Sequence, residues 1–251
     1  MYTEYHREFS GALAREIEYK VYGRGGVPVL AFPCRNGRFY EWEDAGVIHA
    51  LAGELNAGLI QLFVTDPPDG QVLCPGDPRQ RAEHYEAWYH YVTEELTNCV
   101  RQINGRDLLP LTAGCGMGAY HAANLFFRRP DLLGGVVALS GVYDTAGLYG
   151  GYMDGTVYFN DPCASLANLP ADHPYVDLFR RRQLYFYTGA GTGEQESLAS
   201  TSRLTDILAG LDVPVHWQRQ GADAGHGYAW WTRQLVALLG RAALGTDVRC
   251  S

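Results

Sequence analysis

The chain has 251 residues, of which 28 are acidic and 20 are lysine or arginine, so its formal net charge is −8. With 47% hydrophobic and 19% charged residues, it has the balance of a globular protein, which excludes a disordered, collagen-like or coiled-coil chain. The acidic balance lacks the basic surface that phosphate backbones require, so nucleic acid is not expected as a partner.

Membrane association, disulfides and cofactors are not expected either. No run approaches the roughly 20 apolar residues that span a bilayer, and the N-terminus lacks the basic-then-apolar pattern of a signal peptide. We therefore expect a cytoplasmic protein with no membrane partner, and self-association into a homo-oligomer stays open. The cysteines show no CxxC spacing, which predicts reduced thiols and no metal site. They are Cys34, Cys74, Cys99, Cys115, Cys163 and Cys250.

Alternating strand and helix patterns run through the chain. Residues 5–9 and 15–22 predict an antiparallel hairpin at a sheet edge. Short apolar runs then alternate with helical patterns, which predicts an α/β fold: a mostly parallel central sheet with helices on both faces and its ligand site at the carboxyl ends of the strands. The predicted strands are 28–32, 59–64, 108–113, 135–140, 184–188 and 213–220, and the predicted helices are 46–55, 79–100, 118–129, 194–209 and 230–244.

One segment interrupts this alternation. Residues 144–182 are rich in Tyr, Gly, Pro and Asp and have no clear period. In a compact domain, such a long stretch is more often a functional excursion than a plain loop. We expect a single domain over residues 1–251, with a lid-like insertion at 144–182.

The most informative stretch is residues 111–124, where an apolar strand leads directly into a helical pattern. Such a strand–turn–helix is the setting of the G-x-S-x-G nucleophile elbow, in which the central side chain is exposed above the sheet. Gly114 and Gly118 take the flanking positions, which makes residue 116 the nucleophile position. That residue is glycine, so the position is vacant.

In these segments the chain resembles a bacterial esterase family of the α/β-hydrolase superfamily, distantly similar to feruloyl esterases and mycolyltransferases. The resemblance implies the α/β-hydrolase fold, a carboxylic ester or related acyl substrate, small or peptide-like, and no cofactor. The segments that carry it are 32–40 (FPCRNGRFY), 76–79 (GDPR) with His84 and Trp88, 114–124, 128–132 (RRPDL), 139–144 (LSGVYD), 170–175 (PADHPY), and Gly225 and His226 followed by Trp230 and Trp231.

The resemblance also assigns roles to individual residues. It makes His226, in a glycine-rich loop after the last strand, the general base, and Glu194 the acid that orients it. Asp223 is a weaker rival for the acid, and Glu194 could instead only favour the start of the next helix. The oxyanion hole would use the backbone N–H of Met117 and one from the turn containing Gly37 and Arg38.

Three further residues are candidate substrate contacts: Cys34, Arg35 and Trp230. Cys34 and Cys115 are also the thiols nearest to the vacant position. The turn would aim Cys115 elsewhere, and we interpret Cys34 as structural, because reactivity requires a lowered thiol pKa that a sequence does not show.

Three accounts of Gly116 stay open. It could be an inactivating replacement of a natural serine in an ester hydrolase, which leaves the chain inactive or very weak. It could be natural, with His226 acting as general base for other chemistry such as epimerisation. The chain could also be a ligand-binding pseudoenzyme with a degenerate catalytic triad.

Overall fold

A computed structural model describes residues 1–245, in which eight strands form one sheet. The strand order is β1-β2-β4-β3-β5-β6-β7-β8. The predicted edge hairpin is confirmed: β1 pairs antiparallel with β2, and β2 pairs antiparallel with β4, whereas all later pairs are parallel. The strands are β1 (Thr3–Ser10), β2 (Arg15–Tyr22), β3 (Val27–Phe32), β4 (Ile60–Thr65), β5 (Leu111–Cys115), β6 (Gly135–Leu139), β7 (Gln183–Thr188) and β8 (His216–Arg219).

Helices cover both faces of the sheet, as the alternation predicts. Every residue of β3, β4, β5 and β6 is buried, because each of these strands packs against helices on two sides. The helices are α1 (Glu41–Asp44), α2 (Val47–Ala50), α3 (Ala52–Asn56), α4 (Asp69–Val72), α5 (Pro78–His90), α6 (Thr97–Asn104), α7 (Met117–Arg128), α8 (Ala146–Tyr149), α9 (Gly155–Phe159), α10 (Pro162–Ala167), α11 (Pro174–Arg181), α12 (Gln195–Gly210) and α13 (Tyr228–Gly245), and a π-helical turn spans Tyr91–Leu96.

The structure differs from the predicted elements at three places. The helix predicted at 46–55 is two short helices, α2 and α3, which meet at Leu51. The helix predicted at 79–100 is α5 and α6 joined through the π-helical turn. The strand predicted at 213–220 shortens to β8, an edge strand whose residues are mostly exposed.

The irregular segment 144–182 contains the four short helices α8 to α11 between β6 and β7. Asp154 and Asp161 begin α9 and α10 by accepting backbone N–H bonds from the first turn of each helix. Short capped helices explain why the sequence shows no sustained period there. Its function as a lid stays a prediction.

Two other expectations concern the same described residues. Within residues 1–245, no helix is both long enough and apolar enough to cross a bilayer. Five cysteines of this part of the chain have free thiols. Cys250, the sixth predicted reduced thiol, lies outside the described residues.

Candidate active site

The turn between β5 and α7 brings three backbone segments into close contact. A Cβ on Gly114 would lie 2.1 Å from the Gly118 carbonyl oxygen, and a Cβ on Gly118 would lie 2.2 Å from the Phe32 carbonyl oxygen. No side chain larger than hydrogen fits at either position without moving backbone atoms. The flanking glycines of the elbow are therefore required by the approach of α7 to β5 and β3.

Gly116 lies at the tip of this turn, with φ 55° and ψ −119°. Its N–H donates to the Leu139 carbonyl at 2.8 Å, which fixes the turn against the end of β6. Residues with a side chain rarely adopt such a positive φ, and they do so mainly at functional sites that hold the strain. Glycine adopts it without that cost.

A side chain at residue 116 would point at His226. An ideal Cβ built there lies 3.4 Å from His226 Nε2, 3.5 Å from Trp231 Cη2 and 2.8 Å from Cys34 Sγ. The imidazole therefore faces the vacant position, and the Cys34 sulfur occupies part of the space that a serine would fill.

His226 is paired on its other side with Glu194. His226 Nδ1 lies 3.2 Å from Glu194 Oε1, and the Glu194 side chain is fully buried, whereas 34% of the His226 side chain is exposed. The second carboxylate oxygen accepts a hydrogen bond from Ser197 Oγ at 2.7 Å. Burial alone raises the pKa of Glu194, but hydrogen bonds from His226, Ser197 and Ser140 outweigh it and hold that pKa below its usual value.

Two loops hold this pair together through backbone contacts. The His226 N–H donates to the Thr192 carbonyl at 3.1 Å, and the Gly191 N–H donates to the Ala224 carbonyl at 2.9 Å. A Cβ on Gly189 would lie 2.1 Å from the same Ala224 oxygen. Glu194 caps no backbone N–H of α12, so its carboxylate faces the imidazole instead. Asp223, the rival acid, is exposed.

Trp231 is the aromatic residue beside the imidazole. Its ring meets the His226 ring edge to face with centroids 4.6 Å apart, and its Nε1 donates to Ser140 Oγ at 3.0 Å. Trp230, the sequence candidate, is not among the residues that line the cavity.

Carboxylates hold the loop after β3. The Cys34 N–H donates to Glu41 Oε2 at 2.8 Å and the Asn36 N–H donates to Asp69 Oδ2 at 2.7 Å, while the Gly37 N–H donates to the Cys34 carbonyl at 2.9 Å. These three amides are therefore engaged within the protein. The Arg38 guanidinium pairs with Asp66 and Glu18.

The backbone N–H groups of Arg35 and Met117 both influence the Cys34 thiol. Burial raises the pKa of the thiol, as does the nearby Glu41 carboxylate, and hydrogen bonds from the N–H groups of Arg35 and Met117 only partly oppose this. The Met117 amide is the oxyanion-hole donor that the resemblance implies. The Gly37 N–H donates to the Cys34 carbonyl instead, and the second donor of the oxyanion hole stays a prediction.

A fully buried network supports this loop from below. His121 Nε2 lies 3.0 Å from Asp69 Oδ1, and its Nδ1 lies 3.1 Å from the Tyr85 hydroxyl. Because Asp69 also accepts the Asn36 N–H, the network holds Asn36 at its positive φ of 59°. Residues of α5 and α7 thus position the loop that carries Cys34.

These groups open into a cavity of about 610 Å³ at the carboxyl edge of the sheet, where the fold predicts a ligand site. Its walls include the catalytic candidates, the Arg35 side chain and residues of α8 from the irregular segment. Among residues 1–245, no cluster of side chains suited to a metal ion occurs. The lining residues used below are Cys34, Arg35, Gly116, Met117, Tyr120, Ser140, Gly147, Leu148, Ser197 and His226.

Comparison with solved structures agrees with the fold. A ferulic acid esterase superposes with a TM-score of 0.74 at 15% identity, covering 97% of this chain and 98% of the other. An S-formylglutathione hydrolase from Agrobacterium tumefaciens gives 0.75 at 14% identity, covering 96% and 94%. Mycobacterium tuberculosis MPT51 gives 0.73 at 16% identity, covering 96% and 98%.

The chain therefore has the α/β-hydrolase fold, and the expected distant similarity to feruloyl esterases is confirmed. No protein-family model matches the sequence, and no curated protein matches it either.

Sequence reasoning missed the residues that orient the site: Glu41, Asp69, Ser140, Ser197 and Trp231. Ser140 and Trp231 had a visible signal, because both lie in segments that carry the family resemblance. The others act through contacts between segments that are distant in the chain.

Proposed function

We propose that the cavity is an acyl-binding site of esterase lineage, which takes a carboxylic ester or related acyl group. The observation that carries the proposal is the position of the vacant side chain: a Cβ at residue 116 would lie 3.4 Å from His226 Nε2, and that histidine is backed by the buried Glu194. A serine there would have a base within reach and an orienting acid behind it. The esterases and hydrolases among the structural neighbours support the same reading.

In this proposal, each group has a role. The substrate carbonyl oxygen would lie at the N–H groups of Met117 and Arg35, which would stabilise the developing negative charge. His226 would take the proton of the attacking group, and Glu194 would hold its tautomer and stabilise the imidazolium. Because Gly116 has no hydroxyl, we expect only the weak activity that remains when a nucleophile is lost, since the oxyanion donors still act.

The test restores the hydroxyl and makes room for it. Cys34 Sγ lies 2.8 Å from the new Cβ, so hydrolysis of p-nitrophenyl acetate is measured for Gly116→Ser alone and for Gly116→Ser combined with Cys34→Ala. We expect a gain in kcat of about a thousandfold or more in the double variant, and its loss when His226→Ala is added.

Gly53→Ser is the matched control. It places a serine outside the cavity where nothing lies within 4 Å, so it should leave the rate unchanged. If a folded double variant shows no gain, or if the gain persists without His226, the proposed site is wrong.

A further inference from the structure

We propose that Cys34 supplies the nucleophile in the chain as it stands, its thiol attacking the acyl carbonyl that a hydroxyl at residue 116 would otherwise attack. The inference rests on the proposed function for the place of the carbonyl. It adds a catalytic residue from a different loop, the one after β3.

The first argument is position. Cys34 Sγ and His226 Nε2 lie 2.8 Å and 3.4 Å from the same point, the Cβ position of residue 116. The sulfur and the base therefore both border the space where a serine side chain would lie. Cys34 and His226 also both line the 610 Å³ cavity.

The second argument is that the other nucleophilic groups of the cavity are engaged. The Ser197 hydroxyl donates to Glu194, and the Tyr120 hydroxyl donates to the Asn160 carbonyl at 2.7 Å. The Ser140 hydroxyl accepts the Trp231 N–H at 3.0 Å. In the described part of the chain, the Cys34 thiol donates its proton to no acceptor. Cys115, the other nearby thiol, is fully buried and does not line the cavity.

The third argument concerns the amides around the sulfur. The backbone N–H groups of Arg35 and Met117 act on the Cys34 thiol and lower its pKa, in opposition to burial. When the sulfur bonds to a carbonyl carbon, the carbonyl oxygen lies next to it and can take over these two donors. The same pair of amides thus serves an oxyanion formed by a thiol of this loop.

The chemistry balances without an added oxidant or reductant. As the S–C bond forms, the thiol proton moves to His226 Nε2 and the carbonyl electron pair moves onto oxygen. Collapse breaks the C–O bond, and His226 returns the proton to the leaving alcohol, which leaves a thioester on Cys34. Water then attacks the thioester while His226 takes its proton, the C–S bond breaks, and His226 returns the proton to the sulfur, which regenerates the Cys34 thiol and releases a carboxylic acid.

The environment of the thiol also accounts for a low rate. Burial and the Glu41 carboxylate raise the pKa of Cys34, so no thiolate forms in advance and each attack depends on proton transfer to His226. Efficient cysteine enzymes instead lower the thiol pKa. We therefore expect slow turnover, far below that of a serine at residue 116.

The experiment traps the thioester on the unaltered chain. The protein is incubated with p-nitrophenyl acetate, quenched in acid and digested with trypsin, and the peptide of residues 25–35 (GGVPVLAFPCR) is analysed by mass spectrometry. Cys34 is its only nucleophilic side chain, so an acetyl group on it identifies the site. We expect acetylation that neutral hydroxylamine removes, and that His226→Ala slows by about 100-fold or more.

Controls separate this inference from the proposed function. Cys34→Ala should lower the residual hydrolysis to the rate that the oxyanion donors support without a nucleophile, whereas Cys74→Ser, which alters an exposed cysteine, should not change it. No acetyl group on residues 25–35, or acetylation at the same rate without His226, overturns the inference. If the Gly116→Ser and Cys34→Ala double variant is still active in that case, the proposed function stands; if it is also inactive, both fail.

Discussion

Introducing a serine at residue 116 should reduce stability, for two reasons that can be measured separately. Residue 116 has φ 55°, and a side chain held at such a backbone angle costs about 1–3 kcal/mol. The new Cβ would also lie 2.8 Å from Cys34 Sγ, so the thiol must leave its rotamer, which costs about 0.5–1.5 kcal/mol. Together the free energy of unfolding should fall by about 2–4 kcal/mol.

Thermal and urea unfolding of the Gly116→Ser variant, followed by circular dichroism, measures this loss. For a chain of this length, 1 kcal/mol corresponds to roughly 2–4 °C in Tm. Two matched substitutions divide the effect. Gly58→Ser has φ 66° with nothing within 4 Å, so it reports backbone strain alone; Gly53→Ser lies in open space without a positive φ and gives the baseline.

Adding Cys34→Ala to Gly116→Ser should recover the free energy of unfolding that is lost to the contact with the sulfur. It should not recover the part that is lost to backbone strain. The reasoning is refuted if Gly116→Ser is no less stable than Gly53→Ser. It is also refuted if Cys34→Ala lowers the free energy of unfolding by as much in the Gly116→Ser background as it does in the unaltered chain.

Three further predictions concern packing and titration. Gly118→Ala would push a Cβ to 2.2 Å from the Phe32 carbonyl oxygen and should cost about 3 kcal/mol or more in unfolding experiments, whereas Gly53→Ala should be neutral or slightly stabilising. The pKa of Glu194 is depressed below 4.5, so its stabilising effect is present above that pH and is lost as the pH falls through the folded pKa. The stability difference between wild type and Glu194→Gln should therefore shrink in acid, and a constant difference from neutral pH to pH 3 would contradict this. Because the pKa of Cys34 is raised, iodoacetamide should label residues 25–35 with a midpoint above pH 9.0, and a lower midpoint would indicate a thiolate stabilised by His226.

The fold could be predicted because its signals are local. Continuous apolar runs mark the buried parallel strands, and Gly114 and Gly118 mark a turn that only glycine fits. The helix predicted at 46–55 failed because the chain bends at Leu51, between two four- to five-residue helices with similar apolar spacing. Helix propensity does not reveal such an interruption of a helix.

For the site, the sequence could predict the order of the candidate residues along the chain but not their contacts in space. The contact between His226 and Glu194 depends on two glycine-rich loops meeting backbone to backbone, over a separation of 32 residues that no spacing rule covers. The choice of Trp231 over Trp230 depends on helical phase, since adjacent residues of α13 point in different directions. The position of the Cys34 sulfur follows from hydrogen bonds to Glu41 and Asp69, which lie in other elements.

Labelling with an alkyl fluorophosphonate tests the central claim most directly, because such a reagent bonds to a nucleophile that an adjacent base activates, with loss of fluoride. The double variant Gly116→Ser with Cys34→Ala should acquire one adduct, on the tryptic peptide of residues 107–128 that contains residue 116. The adduct should disappear when His226→Ala is added. A folded double variant that acquires no adduct there, or acquires it equally without His226, would contradict the assignment of this cavity as an esterase-type site.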